Sequence, residues 1–324
     1  MSKKHVVVYN RLPESLVERL REHFTVEVIP FSANIDLFAA SAAKAQGLIG
    51  ASRKLGEKEL EMATTLEAIA SVSVGYDSYD VDYLTERGIL LTNTPDVLTE
   101  TTADLGFTLL MSAARRVPEL DAFVKAGLWR KGIGEEHFGT DIHGRTLGIV
   151  GAGRIGAAIA KRGHFGFDMP ILYSANSAKP ELEEQMGAQR RELDELLQEA
   201  DFVCLVVPLS PATEKLIGAR ELGLMKSSAI LINLARGAVV DEPALIEALR
   251  NGQIRGAGLD VYTQEPLEAS PLFELPSVVT LPHIGSATHE TRYAMAERAV
   301  ENLIAALTGE RPTDLVNPAA LERR

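Results

Sequence analysis

Residues 146–162 read TLGIVGAGRIGAAIAKR: a short apolar run, a glycine-rich turn and an Ala-rich amphipathic run in immediate succession. Gly151, Gly153 and Gly156 carry the spacing G-x-G-x-x-G, with Arg154 and Ile155 between the second and third. The first glycine permits a tight turn, the second lets the backbone approach a pyrophosphate, and the third lets the helix pack closely on the strand. The N–H groups opening that helix supply partial positive charge. In this strand–turn–helix setting the motif reads as the dinucleotide loop of a βαβ unit.

Such a unit ordinarily places an acid about 20 residues on, where it binds the ribose hydroxyls. Here residues 171–180 read ILYSANSAKP and contain no Asp or Glu. Asp168 precedes this strand and Glu181 falls in the helix after it. The turn instead offers Ser174, Asn176, Ser177 and Lys179, which can donate hydrogen bonds to a 2′-phosphate that a carboxylate would repel. NADP(H) is therefore the preferred coenzyme expected here, with NAD(H) as the alternative. The turn holds no Arg, and the pairs Arg115-Arg116 and Arg190-Arg191 read as solvated helix faces.

Outward from the loop, strand-like and helix-like stretches alternate. HVVVYN, TVEVIP, GLIGA, LEAIASVSV and ILLTNT mark about five strands in the first 95 residues. After the glycine loop, ILYS, DFVCLVVP, AILINLA, GAGLDVY and SVVTLP continue the pattern. This alternation predicts an α/β protein with parallel sheets covered by helices on both faces. Residues 94–129 break the rhythm: Thr99 to Thr102 offer N-cap hydroxyls, and apolar residues then recur at helical spacing for several turns. A helix so long and apolar suits a domain connection or a subunit interface.

The chain has 324 residues, enough for two domains, and 46% of them are hydrophobic. Its longest apolar runs fall well short of the ~20 residues a membrane helix needs, and the N-terminal MSKKHVVVYN has too short an apolar stretch for a signal sequence. One cysteine, Cys204, lies within an apolar strand and rules out a disulfide framework or a multi-Cys metal site. The expected compartment is the cytoplasm. A net charge of −12 argues against nucleic-acid partners, whose phosphates need clustered Lys and Arg.

Three stretches carry suitable chemistry: Arg236 just past AILINLA, Glu265 just past GAGLDVY and His283 just past SVVTLP. In an open parallel sheet, ligands bind beyond the carboxyl ends of the strands. The three side chains are thus expected at one edge. The other histidines, His5, His23, His137, His143, His164 and His289, show no metal-ligand spacing.

GAGRIG, NLARGAVVDE, DVYTQEP and PHIGSATHETR together resemble the D-isomer-specific 2-hydroxyacid dehydrogenases, over roughly residues 45–318. SVGYDSYDVD, HFGTDIHGRTLGIVG, HFGF and HIGSATHETR are most similar to the bacterial branch that reduces glyoxylate, hydroxypyruvate and 2-ketogluconate. NADP-preferring members often carry Arg in the turn after the second strand, where this chain has Asn176 and Ser177.

The resemblance implies two Rossmann-like doubly wound parallel-sheet domains. Residues 1–96 and 288–324 would form a substrate domain discontinuous in sequence, and 97–287 the dinucleotide-binding domain. It implies reduction of small 2-keto acids, with His283 as general acid, Glu265 holding the imidazole in its protonated form, and Arg236 clamping the substrate carboxylate. Val74 and Gly75 would offer backbone amides to that carboxylate, and Ser286 would orient the substrate or His283, or else cap the following helix. Thr102, Val207, Pro208, Thr213, Leu234, Ala235, Asp260 and Gly285 would line the coenzyme together with His283. A homodimer through residues 97–129 is implied as well. The alternatives left open are a non-catalytic dinucleotide sensor of the same fold and a dehydrogenase of the phosphoglycerate or formate type.

Overall fold

The computed structural model describes residues 3–30 and 35–323. The chain divides into two compact units, Met1–Leu98 with Ala287–Arg324, and Thr99–Ser286.

The first unit is built on β1 (His5–Val8), β2 (Thr25–Val28), β3 (Gly47–Gly50), β4 (Ala68–Ser71) and β5 (Leu90–Thr92), with helices α1 (Glu14–His23), α2 (Ile35–Ala42), α3 (Glu57–Leu60) and α4 (Val81–Glu86) between them. The strands are all parallel, in the order β2-β1-β3-β4-β5. β3 and β4 are buried along their whole length, as expected of central strands covered on both faces.

The second unit has seven strands: β6 (Leu147–Val150), β7 (Ile171–Ser174), β8 (Gln189–Arg190), β9 (Phe202–Leu205), β10 (Ile230–Asn233), β11 (Gly256–Leu259) and β12 (Val278–Thr280). Its helices are α5 (Thr99–Arg115), α6 (Val117–Lys125), α7 (Arg154–Phe167), α8 (Pro180–Met186), α9 (Leu193–Glu199), α10 (Ala219–Leu224) and α11 (Glu242–Arg250). The parallel order β12-β11-β10-β9-β6-β7-β8 reverses direction at β6 and β9, the switch point where doubly wound sheets open a ligand crevice. Successive residues of β10 serve opposite cores. Ile230 and Ile232 join Phe107, Ile159 and Tyr173 on one face, and Leu231 joins Leu197, Leu222 and Leu249 on the other. Cys204 of β9 is fully buried, and burial pushes its thiol up to about 12, so it is inert core. The chain then returns to the first unit as α12 (His289–Thr308), whose Leu307 packs so tightly on β3 that a Cβ at Gly47 would lie 2.7 Å from its Cδ1.

Two expectations need correction. The long helix expected over 94–129 is two helices, because Arg116 turns left-handed at φ 55° and α6 restarts with a proline in its first turn. Pro118 cannot donate to a preceding carbonyl and its ring collides with the turn before it, so α5 cannot run on. Arg116 then closes on Glu119 with two hydrogen bonds of 2.6 and 2.8 Å. Arg190 and Arg191 do not lie on a helix face. Gly187, left-handed at φ 60°, ends α8, and the chain enters β8 beside β7, with Arg190 opposite Tyr173.

Candidate active site

The glycine loop shows the division of labour expected of its three glycines. Gly151 has φ 100°, and a Cβ there would sit 2.8 Å from the Val206 carbonyl. A Cβ at Gly156 would meet the Gly151 oxygen at 2.4 Å, so α7 lies directly against its own approach loop. Gly153, by contrast, faces open space, with nothing within 4 Å of a Cβ. That opening lies at the start of α7, where first-turn N–H groups have no intrahelical acceptor. The loop therefore fits a pyrophosphate: two glycines are required by the fold, and one leaves room for a ligand. Arg154 and Ile155 occupy the first turn of α7 as expected.

After β7, the turn is shaped by one buried tyrosine. The Tyr173 hydroxyl accepts the Lys179 N–H at 2.9 Å and donates to the Glu183 carboxylate. Asn176 and Ser177 are exposed at the tip, and Ser174 and Lys179 are half-buried at its two ends. After β9, Val207 is half-buried, and Thr213 closes the loop that begins at Pro208: its hydroxyl donates to the Pro208 carbonyl at 2.6 Å and accepts the Ser210 N–H at 2.8 Å. Thr213 is thus spent on the loop itself.

The chemistry gathers at the ends of β10, β11 and β12, which are adjacent and in register. Arg236 follows β10 by three residues. Asn233, 1% exposed, shapes that turn by accepting the Ala235 N–H (3.0 Å) and donating to the Arg236 carbonyl (3.1 Å). Leu234 and Ala235 are buried inside it. The Arg236 guanidinium donates to the Ala235 carbonyl at 2.8 Å.

Glu265 and His283 meet across the ends of β11 and β12. His283 Nδ1 and Glu265 Oε2 lie 2.6 Å apart, and Glu265 Oε1 accepts the Tyr262 N–H at 2.9 Å. Burial works against the charge on Glu265, yet hydrogen bonds from His283 and Tyr262 and the nearby Arg236 charge hold its carboxyl below the ordinary carboxylate value. An ionised Glu265 makes Nδ1 the protonated nitrogen and leaves Nε2 to exchange a proton with a ligand. His283 itself is left-handed, at φ 54°. Asp260, 2% exposed, holds the backbone just beyond it. Its two carboxylate oxygens accept the Ile284 and Gly285 amides at 2.7 and 2.8 Å. Burial pushes the Asp260 carboxyl up despite these amides. Thr102, at the start of α5, and Asp260 both border Gly285, at 3.4 and 3.3 Å from a Cβ placed there.

Ser286 is not the cap of the helix that follows; Thr288 is, accepting the Thr291 N–H. In the other unit, Val74 and Gly75 follow β4. Their carbonyls are engaged by the Asn93 side chain (2.9 Å) and the Ser73 hydroxyl (2.6 Å), and neither amide donates to a protein acceptor among the described residues.

Several supporting residues carried no signal in the sequence reading. Gly237 is the most constrained: a Cβ there would fall 1.8 Å from the Tyr262 carbonyl carbon, so only glycine lets the Arg236 turn lie against the Glu265 loop. Asn233 is the one a reader of sequence could have found, as a polar residue closing an otherwise apolar strand. Among the described residues, no group of three or more His, Cys, Asp or Glu side chains could hold a metal ion.

A model of the family described as D-isomer specific 2-hydroxyacid dehydrogenase, NAD binding domain, matches residues 107–285. The glyoxylate/hydroxypyruvate reductase B of Klebsiella pneumoniae is 54% identical over 319 residues, covering 98% of this chain and 99% of its own. The Escherichia coli K12 protein of that name is 53% identical, covering 98% of both chains. A Thermus thermophilus crystal structure superposes with a TM-score of 0.89 at 45% identity, covering 96% of this chain and 99% of the other. The NADPH-dependent glyoxylate/hydroxypyruvate reductase of Sinorhizobium meliloti, solved with NADP and malonate, has a TM-score of 0.89 at 34% identity and covers 98% of both chains.

Proposed function

Since the chain belongs to the D-isomer-specific 2-hydroxyacid dehydrogenases, we propose that it reduces small 2-keto acids such as glyoxylate, hydroxypyruvate and 2-ketogluconate to D-2-hydroxy acids, with NADPH preferred over NADH. The observation that carries this reading is the His283–Glu265 pair at 2.6 Å beside the Arg236 turn, on the strand edge that also bears the glycine loop.

When bound, the nicotinamide supplies the hydride. His283 Nε2 holds the proton destined for the carbonyl oxygen, and withdraws it when the reaction runs backwards. Glu265 fixes the ring by Nδ1. Arg236 offers a planar fork to the substrate carboxylate, which the point charge of a Lys would not match. The Val74 and Gly75 amides, within the first unit, are donors of the kind a carboxylate takes. The coenzyme preference is supported by the acid-free turn after β7 and by the NADPH dependence of the Sinorhizobium relative.

Two further assignments accompany this reading. Met111, Val117, Val124, Leu128 and Trp129 are each at least 40% exposed along α5, α6 and the segment after them, which supports a homodimer through residues 97–129. No helix among the described residues is long and apolar enough to cross a membrane, and we place the protein in the cytoplasm.

The test is a set of initial rates with NADPH and NADH against glyoxylate, hydroxypyruvate and 2-ketogluconate. Turnover of these acids with NADPH ahead of NADH is expected. Equal or better rates with NADH would overturn the coenzyme preference, and no turnover with any pair would leave a dinucleotide-binding protein without this activity.

A further inference from the structure

The turn after β7 contains no arginine, but the fold brings one to it. Arg190 sits on β8, directly opposite Tyr173 in the parallel pairing, and its guanidinium donates to the Ala175 carbonyl at 3.0 Å. Its neighbour shows that this orientation is specific. Arg191 is occupied by Glu199 (2.9 Å), Gln189 (2.7 Å) and the Arg190 carbonyl (3.1 Å). Arg190 makes no ion pair among the described residues; the one hydrogen bond its guanidinium makes there is to the backbone of the turn, and its other guanidinium N–H groups are available. The Glu183 carboxylate, in the helix that follows the turn, accepts the Tyr173 hydroxyl.

We propose that Arg190, supplied by the neighbouring strand, is the cation that recognises the coenzyme 2′-phosphate, with Asn176, Ser177 and Lys179 as accompanying donors. The contact with Ala175 anchors one edge of the guanidinium to the turn, so its planar fork is pre-positioned for a dianionic phosphate at small entropic cost. A chain lacking arginine in the turn itself thereby acquires one from 15 residues further on. This assignment rests on the NADPH preference proposed above.

The test uses the whole protein and compares adenosine 2′,5′-bisphosphate with adenosine 5′-phosphate by titration calorimetry, in wild type, Arg190→Ala, Arg190→Lys and Arg191→Ala. Wild type should bind the bisphosphate more tightly. Arg190→Ala should cut that advantage about tenfold or more, the loss expected for a charge-assisted pair, while leaving adenosine 5′-phosphate affinity within about twofold. Arg190→Lys should keep part of the advantage, and Arg191→Ala nearly all of it. A bisphosphate advantage that persists in Arg190→Ala would overturn the role of Arg190 and leave the NADPH preference standing. Equal weakening of both ligands would also overturn it, because the residue would then only shape the turn. No advantage in wild type would overturn the preference itself, and this inference with it.

Discussion

The loop after β6 and the turn after β7 end adjacent strands of one sheet, and they are built in opposite ways. The first is local. Gly151 and Gly156 are hemmed in by residues 149–151 and the neighbouring β9 end, the Gly151 amide donates to the Ser174 carbonyl, and Gly153 is the glycine of the three that opens onto space. The second is assembled from a distance. Its own tip is small and polar, its closure depends on Tyr173, and its guanidinium comes from β8. The carboxyl ends of β10 to β12 follow the second plan, since Glu265 and His283 meet across 18 residues of sequence and Gly237 is set by Tyr262. Backbone recognition can thus be written in one short motif, whereas recognition by side chains depends on which strands lie side by side.

The largest effect should come from breaking the distant plan at its chemical centre. His283→Ala is expected to lower kcat roughly 1000-fold, the scale of a lost general acid, while coenzyme binding measured by nicotinamide fluorescence stays near wild type. His283→Asn is the companion variant, because Asn tolerates the left-handed backbone found at this position. Near-normal turnover in both would dismiss His283 as the proton donor.

Gly237→Ala probes the same plan through the backbone. With a Cβ driven into the Tyr262 carbonyl, denaturant unfolding should show a loss of about 3 kcal/mol, typical of severe overpacking, together with loss of turnover. Wild-type stability in this variant would mean that the Arg236 and Glu265 loops do not need their close approach.

The local plan can be split into its fold-bearing and ligand-facing glycines. Gly156→Ala should cost about 2 kcal/mol, because the new methyl meets the Gly151 carbonyl. Gly153→Ala should stay within about 1 kcal/mol of wild type, yet weaken coenzyme binding roughly tenfold by filling the space a pyrophosphate approaches. If the two variants behaved alike in both measurements, the assignment of separate roles would fail.

The smallest expected effect concerns pH. Glu265 titrates below its ordinary value in the folded chain, so its contribution to stability is present above about 4.5, the usual Glu range, and fades as pH falls through the lower folded value. The stability difference between wild type and Glu265→Gln should therefore be greatest near neutrality and vanish in strong acid. A constant difference across that range would show that the carboxylate charge is not what the site uses.

The alternation of apolar runs with amphipathic ones was sufficient to anticipate both parallel sheets, because a strand covered on both faces must be apolar throughout and a covering helix must be apolar on one stripe. The shape of the glycine loop was equally legible, since the glycine spacing that sets it is contiguous in sequence. Arg236, Glu265 and His283 could be named as candidates because each lies in the loop just beyond a strand, and parallel strands necessarily end at one edge. Sequence spacing did not reveal where a helix would stop within a run of good helical residues. The break at Arg116 arose from Pro118, whose missing N–H and bulky ring outweighed the continuing apolar period.

What tertiary structure alone decided was partnership. Arg190 and Arg191 are chemically identical neighbours, and Arg191 closes an ion pair with Glu199 while Arg190 reaches the turn after β7. The difference follows from strand pairing and the outward alternation of side chains, neither of which is encoded within the dipeptide itself. Asp260 and Gly237 are of the same kind: their roles exist only because the ends of β10, β11 and β12 lie against one another, within hydrogen-bonding and van der Waals reach.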